Sequence, residues 1–462
     1  MDEGRLPAEP PAAHTSAETV ADGPNAAYCK AAATHIDYAS ELVITSFNVL
    51  NDMCRTGWDV TKCADPSSVG HWSFGYLMQE AAGGKTVSAR AVSVFILNFL
   101  NTYADAPVVG GQALPVRDGV LDLVVKPWRA KSPGCSADPK DLDCTLDLTK
   151  APLRLLALVN RTDLRTNKPG RYAAGRAGQA RAVFGVVDSK GNPARAAFIL
   201  EYQLPASSDA EAIAWAKDWD NLRVHAGKME YNDLLQDITD RFVKSDALPS
   251  LHQNNGSALL ALRSTELAFA PSTMMNPSLE FREFALGCVT GDVMCALRKT
   301  GMQLLPQLTA LTPDSKYANN MALYMKLTGV LDGEESQVLS EDFTIPDDYL
   351  SGAAQILPGA GSFRWPSGPT NPTARRLFAI STCTGCHFRE TLDGSPAMQS
   401  GFHIDPLTGQ LSHFLSQPIA VKDLDGMPIP YDEKLRRQCE FQYLLDGHVT
   451  PTLTNPSGRD HS

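Results

Sequence analysis

The densest reactive chemistry in the chain is Cys383, Cys386 and His387, in the stretch STCTGCHFRE (381–390). The order C-x-x-C-H admits several chemistries. Two thiols at this spacing can each add to a haem vinyl group, and the next residue then offers its imidazole to the iron. Thiolates and an imidazole can also hold zinc, which needs four ligands and usually a second pair at short spacing. A C-x-x-C pair can cycle between dithiol and disulfide, in a strand–helix context within a βαβ unit, or can be a plain structural disulfide. Downstream, His403, His413 and His448 are scattered and Cys439 is far off, so no second zinc pair is formed. The residues just ahead, TARRLFAIS, read as helix rather than strand. Haem attachment is the expected chemistry, with zinc, a redox dithiol and a structural disulfide as rivals.

The surroundings add a resemblance. NPTARRLFAISTCTGCH (371–387) resembles the opening of a class I cytochrome c domain, a short amphipathic helix running into the haem motif. Further on, DGMPIPYDEKLRRQCEFQYLLDG places Met427 between Gly and Pro, ahead of a helix expected over 431–446. The resemblance implies one covalent haem c, with Cys383 and Cys386 as thioether anchors and His387 as proximal ligand. It implies Met427 or His403 on the distal side, with Met398, His413 or an open site as lesser alternatives. It departs from the family at Phe378, one position off the usual place of the aromatic residue. LRLLALVNRTDLR (153–165) and the C-x-G-C-H form also resemble a set of uncharacterised secreted bacterial proteins. The function implied is electron transfer with a redox partner protein. The alternatives are a haem peroxidase or oxygenase with an open distal site, and a secreted binding protein with a structural zinc or disulfide at 383–387.

The other eight cysteines include three close pairs, 54/63, 135/144 and 288/295, in loop-like segments, which leaves Cys29 and Cys439 for a long-range bridge. Local disulfides suit an oxidising compartment. The N-terminal MDEGRLPAEPPAAHTSAETV has neither a basic nor an apolar region of a signal peptide, and a mature exported chain would look like this. The expected location is periplasmic or extracellular, at a bacterial cell envelope. A net charge of −11 argues against nucleic acid and anionic lipid as partners. The most apolar run, AVSVFILNFL (91–100), is too short to span a bilayer.

At 462 residues the chain is expected to hold more than one domain. The fold class expected is α+β: a mixed N-terminal region with a β-hairpin or sheet and several helices, then a mainly helical cytochrome c-like domain. The divisions are a disordered leader (1–30), an α+β domain (31–340), a Pro/Gly/Ser-rich linker (341–372), the haem domain (373–450) and a disordered tail (451–462). Helical spacing marks 35–106, and 258–330 also reads as mostly helical. GVLDLVVKPW (119–128) alternates like a strand, and LRLLALVNRTDL (153–164) reads as a buried strand and turn. Two apolar runs around SKGNP predict a hairpin over 180–205. Helices are predicted over 208–225, opening on a Ser208/Glu211 capping box, and over 231–245.

Weaker constellations remain. Arg161, Arg165, Arg171, Arg176 and Arg181 cluster with Asn160 and Asp163. They could bind an anion such as a haem propionate or a carboxylate substrate, or could stitch a loop to the sheet through Arg–Asp pairs. Asp423 and Asp425 beside Gly426 mimic part of a calcium loop, but Val421 and Asp432 break the pattern, so a charged turn is expected. Trp215 and Trp219, four apart on one helix, read as core.

Overall fold

Extended runs rich in apolar residues dominate the middle of the chain, and they pair into one antiparallel sheet. The computed structural model describes residues 15–16, 26–57, 63, 70–166, 174–248, 256–275, 277–288, 302–307, 352–356, 387, 401–422, 428–451 and 453–454. The strands are β1 (Val43–Ile44), β2 (Leu153–Arg161), β3 (Gln179–Val187), β4 (Pro193–Gln203), β5 (Leu259–Glu266), β6 (Leu279–Cys288), β7 (Met302–Pro306) and β8 (Ala353–Ile356). Their order is β7-β6-β5-β4-β3-β2-β1, and β8 also pairs with β6. Strands β7 and β8 take the C-terminal and N-terminal halves of β6.

The hairpin β3–β4 forms where the sequence predicts it. Asp188 accepts from the backbone N–H of Lys190 and of Asn192, each at 2.8 Å, and Gly191 supplies a φ of +86°. Such an Asx-type turn fixes the register of both strands.

Among the described residues, the helices of nine residues or more are α1 (Ala26–His35), α2 (Phe74–Ala82), α3 (Ala89–Asn101), α4 (Asp209–Asn221), α5 (Tyr231–Val243) and α6 (Glu433–Leu445). Serine caps open three of them. Ser73, Ser88 and Ser208 accept from Tyr76, Ala91 and Glu211 backbone N–H groups. Asp432 caps α6 through Leu435 N–H at 2.8 Å. Each cap satisfies an N–H that the helix cannot, which stabilises it by about 1 kcal/mol.

Helices α2 and α3 cover one face of the sheet with aromatic rings. Phe74 meets Phe184 edge-on at 5.4 Å, and Phe99 meets Phe198 at 5.5 Å and Phe284 at 4.9 Å. Trp215 and Trp219 of α4 are buried core residues, as read from their spacing. Among the described residues three disulfides form: Cys54–Cys63 and Cys135–Cys144, foreseen from close spacing, and Cys29–Cys439, expected as the remaining pair. The last joins α1 to α6 across 410 residues of sequence. The fourth expected pair, Cys288–Cys295, falls partly outside the described residues.

Several expectations are corrected. GVLDLVVKPW is helical, over Leu121–Val125 and Lys126–Ala130. Val120, Val124 and Trp128, all buried, sit four apart, and this period prevails over the alternation. Residues 258–330 are not mostly helical where described, but form β5, β6 and β7. There the pairing of EFREF (280–284) with β5 overrides an ambiguous local pattern. The linker expected over 341–372 contains β8, which belongs to the sheet.

The α+β class holds, but among the described residues no separate, mainly helical cytochrome-like domain is found. Phe414, Leu415, Phe441 and Leu444 lie in the same hydrophobic core as the sheet and its helices. Among the described residues, no helix is long and apolar enough to cross a membrane.

Candidate functional site

The second face of the sheet carries charge. Successive residues of a strand point to opposite faces, so the strands that send Phe184, Phe198 and Phe284 to the helices send Arg181, Glu201, Arg263 and Glu283 the other way. These four form a ladder across β3, β4, β5 and β6. Arg181 reaches Glu201 at 3.0 Å, Glu201 reaches Arg263 at 3.1 Å, and Arg263 reaches Glu283 at 3.0 Å. All four are buried.

A second buried network continues from the end of β2 into α6. Arg161 donates through Nε and Nη2 to Asp163 at 2.9 and 3.1 Å. Asp163 also accepts from Arg436 at 2.5 Å. Glu433 accepts from Arg436 and from Nε of Arg437, and Arg165 pairs with Glu440 at 2.8 Å. Burial alone would raise the carboxyls of Asp163 and Glu433. Neighbouring guanidiniums overcome it, holding Glu433 at about 2 and Asp163 well below the usual range. Burial lowers Arg181 to about 9, with Glu201 opposing, and it stays charged at neutral pH.

The C-terminal segment lies over this face and leaves a cavity of about 80 Å³. Arg161, Arg181 and Arg437 line one part of it, with His387 and His403. Val159, Val183, Ala197 and Ile199 from the sheet, and Phe402, Ile404, Phe414 and Leu415 from the cover, make the rest of the wall apolar, with Thr265 alone among neutral polar side chains. A ribbon of rings runs along the cover. Phe281, His387, His403, Phe414 and Tyr431 follow one another at centroid distances of 4.6, 4.3, 5.1 and 5.3 Å.

His387 is anchored through Nδ1, 3.0 Å from the carbonyl of Gly401. A carbonyl only accepts, so Nδ1 carries the proton. Gly401 itself has φ +70°, and a Cβ there would meet Leu279 Cδ2 at 2.3 Å. Only glycine presents that carbonyl without strain. Burial lowers His387 to about 4, although the Gly401 bond opposes it, and burial together with the adjacent His387 holds His403 well below its ordinary value. Both imidazoles are therefore neutral at pH 7.

The haem reading does not survive this geometry. The ring centroids of His387 and His403 lie 4.3 Å apart with their planes tilted by 40°, so no macrocycle fits between them as it must between two axial ligands. A cavity of about 80 Å³ is smaller than the 150 Å³ void that holds a benzene (about that figure in an engineered core). Among the described residues, no group of three or more His, Cys, Asp or Glu could hold a metal ion. The expected covalent haem c is thus overturned, and electron transfer and haem oxidation lose their ground with it. The expected redox partner followed from that chemistry. Cys383, Cys386, Met398 and Met427 lie outside the described residues. The charged-turn and calcium alternatives at Asp423 and Asp425 lie outside them too.

The sequence singled out part of the true cluster. Of the arginines at 161–181, Arg161 and Arg181 line the cavity, Arg165 pairs with Glu440, and Arg176 pairs with Asp209 on the surface. Arg263, Glu283, Glu433 and Arg437 were missed. Adjacent Arg436 and Arg437 in a helix with Cys439 buried beside them carried a signal, since α6 buries nearly every residue it has.

Compared with protein-family models, with curated proteins and with solved structures, the chain matches none of them. The resemblances to class I cytochromes and to secreted bacterial proteins gain no support from these comparisons.

Proposed function

We propose that this chain is an exported, disulfide-stapled binding protein whose ligand occupies the cavity between the charged sheet face and its C-terminal cover. One observation carries the reading: guanidiniums already oriented by carboxylates border a partly enclosed, otherwise mostly apolar space. Ligand sites commonly combine apolar walls with a few fixed polar groups. Strands between residues 43 and 306 supply most of the sheet, and residues 401–422 with α6 its cover. Three disulfides support a periplasmic or extracellular location, because such bonds persist in oxidising compartments. The same reading makes Cys383 and Cys386 a structural disulfide, which non-reducing peptide mapping would detect.

The test is a thermal-shift panel of small anions, neutral polar molecules and cations on the oxidised chain and on Ala197→Leu. The variant fills the cavity without touching a charge. At a hundredfold excess over Kd a ligand stabilises the folded state by about 2.7 kcal/mol. At least one class should raise the Tm of the wild type and leave the variant unmoved. A flat panel on a folded wild type, or equal shifts in both proteins, rejects the reading.

A further inference from the structure

Within that cavity the donors are distributed unevenly. Arg161 engages Asp163 through Nε and Nη2, and Nη1 has no partner among the described residues. Arg437 engages Glu433 through Nε alone, and neither of its terminal nitrogens has a partner there. Both residues are almost fully buried, yet none of these three nitrogens is sealed off from the cavity space. A buried guanidinium N–H left without an acceptor is unfavourable, so the site calls for one.

Charge adds to the demand. In the buried networks on this face, Arg161, Arg165, Arg181, Arg263, Arg436 and Arg437 face Asp163, Glu201, Glu283, Glu433 and Glu440. Among these described residues one cation is in excess. The neutral histidines do not cancel it and offer hydrogen bonds only.

We infer that the cavity binds a short-chain monocarboxylate, its carboxylate received by Arg161 and Arg437 and its alkyl tail laid against Val183, Ala197 and Phe402. The inference rests on the binding-protein reading and names its ligand. A single negative charge balances the excess cation. A planar carboxylate matches the guanidinium fork, and its two oxygens satisfy donors from both arginines. The apolar walls suit a tail and disfavour phosphate or sulfate, which present polar oxygens on every side. The volume limits the acid to roughly two to four carbons. Carboxylates of Asp163 and Glu433 hold both arginines in place before the ligand arrives, so little ordering is needed on binding.

Calorimetric titration of the intact, oxidised chain at pH 7 tests this, with propionate, propionamide, phosphate and sulfate as probes. Propionate should bind at one saturable site, with the amide and both tetrahedral anions weaker by about tenfold or more. Arg437→Met should weaken propionate by about tenfold or more, with Arg437→Lys recovering part of it. Ala197→Leu should abolish binding while leaving every charge in place. Equal binding of propionamide overturns the anion assignment. Tighter binding of phosphate or sulfate, lost in Ala197→Leu, overturns the carboxylate assignment and keeps the binding-protein reading. Silence from all four probes on a folded protein overturns the inference, and the broader panel of neutral and cationic molecules then decides whether the binding-protein reading falls with it.

Discussion

The two faces of the central sheet use the same strands to opposite ends. One face presents Phe184, Phe198, Leu262 and Phe284 to helices α2 and α3. The other presents Arg181, Glu201, Arg263 and Glu283 to the C-terminal segment. Each large apolar side chain buried on the first face stabilises the fold by about 1.5–3 kcal/mol. The ion pairs on the second lose hydration worth several kcal/mol per ion, which their mutual attraction roughly offsets. The first face therefore holds the protein together. The second adds little net stability, yet it is built with more order than chance pairing would give. A charged layer of this kind fixes donors in space, and the cavity is where fixed donors meet an empty volume.

Breaking each face once should separate these roles. Phe198→Ala should lower the unfolding free energy by about 3–5 kcal/mol through a cavity in the apolar core. Glu433→Ala should cost about the same, 3–5 kcal/mol, because Arg436 and Arg437 lose the carboxylate that pairs them. Denaturant unfolding across pH tells them apart. Glu433 sits at about 2 in the folded protein against an ordinary 4.5. Its contribution is therefore present above pH 4.5 and lost as pH falls through about 2. The deficit of Glu433→Ala should shrink over that window while that of Phe198→Ala stays constant. A pH-independent deficit in both would mean that the charged face acts by packing alone.

The histidines give the next effect in size. His387 is held at about 4 against an ordinary 6.5, so the unfolded chain takes up the proton first as pH falls. The neutral ring supports the fold fully above pH 6.5, and this is lost down to about pH 4, amounting to on the order of 3 kcal/mol. His387→Gln should show a shallower loss of stability across that window. A slope identical to wild type would show that the imidazole charges without penalty and is not sealed under the cover. Gly401→Ala touches the same anchor through the backbone, by left-handed strain and the approach to Leu279, and should cost about 1–2 kcal/mol.

The sequence revealed the apolar face far better than the charged one. The β3–β4 hairpin, the capped helix α4 and two disulfides follow from local signals: an Asp-Ser-Lys-Gly-Asn turn, the Ser208 cap and close cysteine spacing. Glu201 and Arg263 gave no such signal. A charged residue alternating with apolar ones in a strand reads as solvent-facing, and only the cover supplied by residues more than 120 positions later buries it. His387 misled for a related reason. Beside Cys383 and Cys386 it has the spacing of a haem ligand, but spacing carries no information about the rings it will stack on. Phe281 and His403 are 106 and 16 positions away in sequence, and both are in contact with it.

The smallest expected effect is also the sharpest test of what the charges do. Arg165 and Glu440 form a fully buried pair that joins β2's end to α6 without lining the cavity. Arg165→Met alone should destabilise by about 3 kcal/mol or more, since it leaves the Glu440 carboxylate buried without its cation. Arg165→Met with Glu440→Leu should return to within about 1 kcal/mol of wild type, because two apolar side chains of similar volume fill the space with no ion to desolvate. If the double variant keeps its stability and still binds the ligand, the outer pairs are replaceable and the demand for charge narrows to Arg161, Asp163, Glu433 and Arg437. If it folds yet loses binding, the whole network acts as one rigid frame for the guanidiniums at the cavity.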